Sequence, residues 1–151
     1  EYVDGAIQSM LVSNRHAVPL MGVHGVTAAT DVTGFGLAGH LSEMLRASKV
    51  SARLNLDVVP LLPGALELMD VGFKSSLHDG NDRSVAGMEE SQHPHFRMLF
   101  DPQTAGGLLL SVAPDQSESL CSGLILAGYE DVAVIGEVVG RDKMAIMFDG
   151  P

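Results

Sequence analysis

Apolar residues recur along the chain at helical and strand spacings, and their changes of period divide it into elements. Val3, Ala6, Ile7, Met10 and Leu11 fall on one face of an opening helix, which Ala17, Leu20 and Met21 continue or follow. Gly22 and Gly25 mark a turn into a short apolar strand, Val26 to Ala29. Leu37, Leu41, Met44 and Leu45 then repeat at helical spacing, predicting a helix from about Gly34 to Ala47. Arg46 and Lys49 suit its negative C-terminal end. Val50, Ala52, Leu54, Leu56 and Val58 alternate with more polar partners, as in a half-buried strand ended by Pro60 and Pro63. Gly64 to Val71 reads as a short helix carrying Ala65, Leu68 and Met69.

From Gly72 to Pro94 the pattern dissolves into a long loop, with a helical turn expected around Arg83 to Met88. Order returns with an apolar strand at Leu108 to Val112 and a helix after Pro114 that reaches Leu126 and stops at Gly128. Val132 to Val139 and Lys143 to Phe148 then form two strands around Gly140-Arg-Asp142, which predicts a hairpin. This mixture of elements predicts an α+β domain, a mainly antiparallel sheet covered by helices.

Composition narrows the class. The 151 residues suit one domain, and 46% hydrophobic content is enough to build a core. Tryptophan is absent, so that core must come from Leu, Val, Met and Ala. Nine basic against nineteen acidic residues give a formal charge of −10, a field that opposes nonspecific nucleic-acid binding. No apolar run has the length of a membrane span, so no membrane association is expected. The single cysteine, Cys121, excludes an internal disulfide and fits a reducing cytoplasm. Cys121 lies on an apolar helix face and reads as packing. The chain opens on Glu1 rather than methionine and is expected to be part of a longer protein.

The stretch richest in chemistry runs from Thr30 to His40, where one carboxylate, two hydroxyls and three glycines separate a strand from a helix. Two readings fit. Asp31 and Thr33 can cap the helix, and Gly34, Gly36 and Gly39 can permit close packing. Alternatively Asp31 holds a hard cation while Thr30, Thr33, Gly34 and Gly36 face its phosphate. Gly34-Phe-Gly36-Leu-Ala-Gly39 also fits the G-x-G-x-x-G dinucleotide pattern, with Asp57 near the position of the ribose acid. Asp31 argues against that reading, since a carboxylate so close would repel a pyrophosphate. His40 reads as a hydrogen-bonded structural residue.

A second polar stretch, Asp101 to Gly107, leads into the strand at Leu108. As a structural feature it is a tight turn preset by Pro102. As a site, Gln103, Thr104, Gly106 and Gly107 would face the same phosphate corner as Asp31. His78, His93 and His95 have no Cys or Glu at zinc-ligand spacing.

Ala29-Thr-Asp-Val-Thr-Gly-Phe-Gly-Leu-Ala-Gly-His40 resembles the A-T-D-V-T-G-F-G-L-x-G-H run of the selenophosphate synthetase (selenide, water dikinase) family. Asp101-Pro-Gln-Thr-Ala-Gly-Gly-Leu-Leu109 resembles that family's D-P-Q-T-S-G-G-L-L. The likeness covers nearly the whole chain but only the C-terminal half of such an enzyme. Ser75 to Asn81 departs from the Gly-Gly-Thr-like turn of many relatives.

The resemblance implies the C-terminal domain fold of the AIR synthetase-like (PurM-like) superfamily. It further implies a full-length enzyme that makes selenophosphate, AMP and orthophosphate from ATP, selenide and water. That enzyme needs Mg2+, is stimulated by K+, and is expected to be a homodimer. Its reactive Cys or selenocysteine, its key lysine and most of its metal-binding aspartates belong to the N-terminal domain. Only Asp31 carries over as a magnesium ligand, so this chain alone is expected to be inactive. The alternatives are another PurM-like ATP-dependent synthase or kinase, or a dinucleotide-binding module.

Overall fold

A computed structural model describes residues 2–149. Helices α1 (Tyr2–Leu11) and α2 (Ala17–Val23) precede strand β1 (Ala28–Asp31), helix α3 (Gly36–Ser48) and strand β2 (Ser51–Leu54). Helices α4 (Ala65–Asp70) and α5 (His78–Ser84) follow, then a 3-10 segment at Phe96–Phe100 and strand β3 (Leu108–Ser111). Helix α6 (Pro114–Leu126) and strands β4 (Gly136–Val139) and β5 (Ile146–Phe148) complete the fold. The architecture is α+β, as the hydrophobic pattern predicts, with its strands divided between two small sheets. β1 pairs antiparallel with β3, and β2 lies between β4 (antiparallel) and β5 (parallel).

α3 joins the two sheets. Its Ala38, Leu41 and Leu45 follow one another at helical spacing and are buried against Ala52, Leu54, Leu109, Ile146 and Phe148. Each buried leucine there removes enough apolar surface from water to contribute about 2 kcal/mol. Phe96 closes this core, its ring edge-on to Phe100 at 5.3 Å and to Phe148 at 5.6 Å. A smaller core lies between α2 and α6, where Ala17, Leu120 and Leu124 are buried. Tyr129 fastens it by accepting from the Ala17 N–H and donating to the Ser13 carbonyl.

Three expectations are corrected. The hairpin at Gly140-Arg-Asp142 does not form, because β2 sits between β4 and β5. Ser51, Ala52 and Leu54 make β2 a buried strand, and the central position pairs both of its backbone edges. The 140–142 segment instead crosses the end of β2, where the Asp142 N–H donates to Ser51 Oγ at 2.9 Å. The strand expected from Val50 to Val58 stops at Leu54. Asn55 then accepts the Asp57 N–H and starts a 3-10 turn, Leu56–Val58.

The loop from Gly72 to Pro94 contains α5, which lies mostly before the turn expected at Arg83–Met88. The opening helix predicted from the sequence forms as α1, with its apolar side left outside the core. Val3, Ile7, Met10 and Leu11 are exposed, and no residue of α1 is buried.

Candidate functional site

The end of β1 sets the direction of Asp31. Along the strand Ala28 and Thr30 turn partly inward while Ala29 and Asp31 face out, as the two-residue period of a strand requires. The Asp31 side chain is exposed and makes no hydrogen bond or ion pair among the described residues. The capping reading fails. α3 begins at Gly36 with Phe35 as its N-cap, and no side chain caps it. The Asp31 carboxylate makes no bond to the helix's first N–H groups.

Thr33 is held in a different way. Its N–H donates to His40 Nε2 at 3.0 Å, and its Oγ1 lies 3.1 Å from the same nitrogen. An accepting Nε2 places the ring proton on Nδ1, which faces Glu43 Oε2 at 3.9 Å. His40 is therefore the buried structural histidine expected from the sequence, and it fixes the turn that follows Asp31.

The two sequence motifs meet through their backbones. Val32 N–H donates to the Gly107 carbonyl at 2.9 Å, and Gly106 N–H donates to the Val32 carbonyl at 3.1 Å. Gln103 N–H donates to the Thr33 carbonyl at 3.1 Å, and Asp31 stands opposite Leu108 in the β1–β3 ladder. Gly106 has no room for a side chain, since a Cβ would lie 2.3 Å from the Val32 carbonyl oxygen.

The predicted polar groups divide by what they touch. Gln103 turns back onto Asp101, donating to its Oδ2 at 3.0 Å. Thr30 Oγ1 donates to the Asp31 carbonyl, while Thr104 is exposed beside the pair. Gly34 presents its carbonyl to Asn81 and leaves open space where a Cβ would sit.

Asn81 is the residue that sequence reasoning missed. Its buried side-chain amide donates to the Gly34 carbonyl at 2.9 Å and to the Phe100 carbonyl at 3.0 Å. It thereby ties the turn after Asp31 to the residue before Asp101. His78, one helical turn earlier, packs edge-on to Phe100 and lies 2.8 Å from the Arg97 carbonyl. A lone asparagine in a polar loop has no spacing signature, so only the fold reveals this role.

Burial pushes the Asp101 carboxyl above its ordinary value of 3.8, while the nearby His78 charge and the Gln103 amide pull it back in part. The sign follows from linkage. The folded chain holds this proton more tightly than the unfolded chain, so the contribution is fully present below about pH 3.8 and is lost as pH rises through the folded value. Asp79, held low by hydrogen bonds from Lys74 and then His78, has the opposite sign. Comparing wild type with Asp101→Asn isolates the Asp101 part. Urea unfolding at rising pH is expected to show wild type losing stability relative to the variant above about pH 4. A constant difference across that range would remove the burial effect.

Among the described residues, no group of three or more His, Cys, Asp or Glu side chains could hold a metal ion. What the corner offers is one outward carboxylate on a rigid frame. That donor set suits a single ligand position in a magnesium shell completed from elsewhere. The dinucleotide pattern does not sit in a βαβ unit, because β1 and β2 flank α3 but lie in different sheets.

Residues 7–149 match the family described as AIR synthase related protein, C-terminal domain. The chain belongs to this family. It is 42% identical over 146 residues to the selenide, water dikinase of Pelobacter propionicus, covering 92% of this chain and 41% of that protein. Likeness to the selenide, water dikinase of Bdellovibrio bacteriovorus is 38%, covering 95% of this chain and 42% of the relative. For that of Clostridioides difficile the identity is 35%, with the same coverage. The chain thus spans about two-fifths of the length of these relatives. The family assignment agrees with the α+β fold and with the resemblance carried by the two motifs. No helix among the described residues is long and apolar enough to cross a membrane.

Proposed function

We propose that this chain is the C-terminal domain of a cytoplasmic selenophosphate synthetase, which forms selenophosphate, AMP and orthophosphate from ATP, selenide and water. The observation that carries this reading is the Asp31 carboxylate, exposed and unengaged at the end of β1 beside a turn braced by His40, Asn81 and the 103–107 segment. A metal ligand must be reachable and carried on a fixed backbone, and the exposed Asp31 carboxylate beside this braced turn supports that role.

In this reading Asp31 is one ligand to Mg2+, with the remaining ligands on the N-terminal domain of the same protein. Bound there, the metal would offset negative charge gathering on phosphate oxygens during polyphosphate cleavage. The chain's own part is to present that carboxylate. Thr33, Gly34, Gln103, Thr104 and Gly107 frame the approach, with Thr30 and Gly36 setting the backbone on either side. Stimulation by K+ and a homodimeric full-length enzyme belong to the same proposal.

The test is product analysis. The intact protein is expected to convert ATP to AMP and orthophosphate in step with selenophosphate, seen by phosphorus NMR, whereas this chain alone yields none. ADP as the sole nucleotide product would point to another ATP-dependent synthase of the superfamily. Selenophosphate made by the chain alone would refute the division of ligands between domains.

A further inference from the structure

We propose a second ligand site at the opposite end of α3, in a groove that takes a small, multiply charged phosphate compound through its diphosphate group. A 13-residue helix places it about 18 Å along the axis from the turn that follows Asp31. The groove has a volume of about 380 Å³, within the range of small-ligand sites. Its walls come from three separate segments: the end of α3 with the start of β2, the residues after α5, and the crossing between β4 and β5.

Charge is what sets this groove apart. Arg46, Lys49, Arg141 and Lys143 all line it, four of the nine basic residues in a chain of net charge −10. The remaining basic residues include three in carboxylate pairs: Arg53 with Asp149, Lys74 with Asp79, and Arg97 with Asp70. None of the four in the groove has such a partner among the described residues. The groove's one acid, Asp142, is turned onto its own backbone, accepting the Lys143 N–H at 2.6 Å.

Complementing the negative end of the α3 dipole accounts for Arg46 and Lys49. It does not account for Arg141 and Lys143, which lie on the crossing between β4 and β5 at the end of β2, where the Asp142 N–H donates to Ser51 Oγ. Four exposed cations lining one groove give it a local positive field that favours an anion. A diphosphate has the charge and the oxygens to meet it. The overall acidity of the chain argues against a long nucleic acid as that anion.

Calorimetric titration of the 151-residue chain, without magnesium, uses inorganic pyrophosphate and ADP as probes. Saturable one-to-one binding that weakens with salt is expected. Equal affinity for both identifies a diphosphate ester as the ligand, and preference for pyrophosphate identifies the free anion. The double variant Arg141→Ser/Lys143→Ser is expected to bind at least about tenfold more weakly, since it removes charge-assisted hydrogen bonds. Arg46→Gln provides a second variant that leaves the crossing loop intact, with a similar direction of effect. Arg15→Ser removes an exposed cation outside the groove and should leave affinity unchanged. Absence of binding, or equal weakening by Arg15→Ser, overturns the site. Neither result bears on Asp31, so failure here is distinguishable from failure of the magnesium reading.

Discussion

Asp31→Asn in the intact enzyme is expected to lower turnover by at least about a hundredfold, the scale of losing a direct metal ligand that steadies transition-state charge. Asparagine keeps the size and one oxygen but removes the charge that a hard cation selects. The loss should be partly recovered at high magnesium, because a weakened shell fills by mass action. Stability should change by less than about 0.5 kcal/mol, since the side chain is exposed and bonds to nothing among the described residues. The combination separates a ligand from a structural acid. Turnover near wild type at limiting magnesium would take Asp31 out of the metal shell. A large loss of stability would show that the carboxylate serves the fold instead.

The fold was legible where burial is apolar and periodic. α3 and α6 lie within two residues of their predicted starts because Leu41, Leu45, Leu120 and Leu124 mark one side of each helix. Pairing was not legible. β4 and β5 have a hairpin's sequence, yet nothing in their own residues says that β2 will enter between them. α5 was hidden for a different reason. What it buries is His78 and Asn81, so its inward side has no hydrophobic spacing to detect.

At the candidate site, sequence chemistry left two readings of Asp31. The structure removes capping through a small offset, since α3 starts at Gly36 and not at Gly34. Backbone geometry at the motif glycines was equally invisible, because glycine in a sequence does not say whether it serves packing or a ligand.

Gly36 and Gly34 let that distinction be measured. Gly36 has φ +68°, and a Cβ there would lie 2.7 Å from the Leu99 carbonyl oxygen and 2.9 Å from the Phe100 carbonyl carbon. Alanine would meet a left-handed backbone and a clash with the two most enclosed residues of the 3-10 segment, Leu99 and Phe100, each 1% exposed. Neither can retreat without disturbing the aromatic packing on Phe96 or the Asn81 link to Phe100. Gly36→Ala is therefore expected to cost about 3 kcal/mol in urea unfolding, a large share of a typical domain's stability.

Gly34 has no positive φ and no heavy atom within 4 Å of a built Cβ. Gly34→Ala should cost less than about 1 kcal/mol. If Gly34 faces a phosphate, that same alanine would still lower turnover of the intact enzyme, because its methyl enters the open space where the ligand approaches. Stability falling equally in the two variants would contradict the packing role given to Gly36. A Gly34→Ala enzyme with unchanged stability and unchanged turnover would show that the open space at this turn serves no ligand.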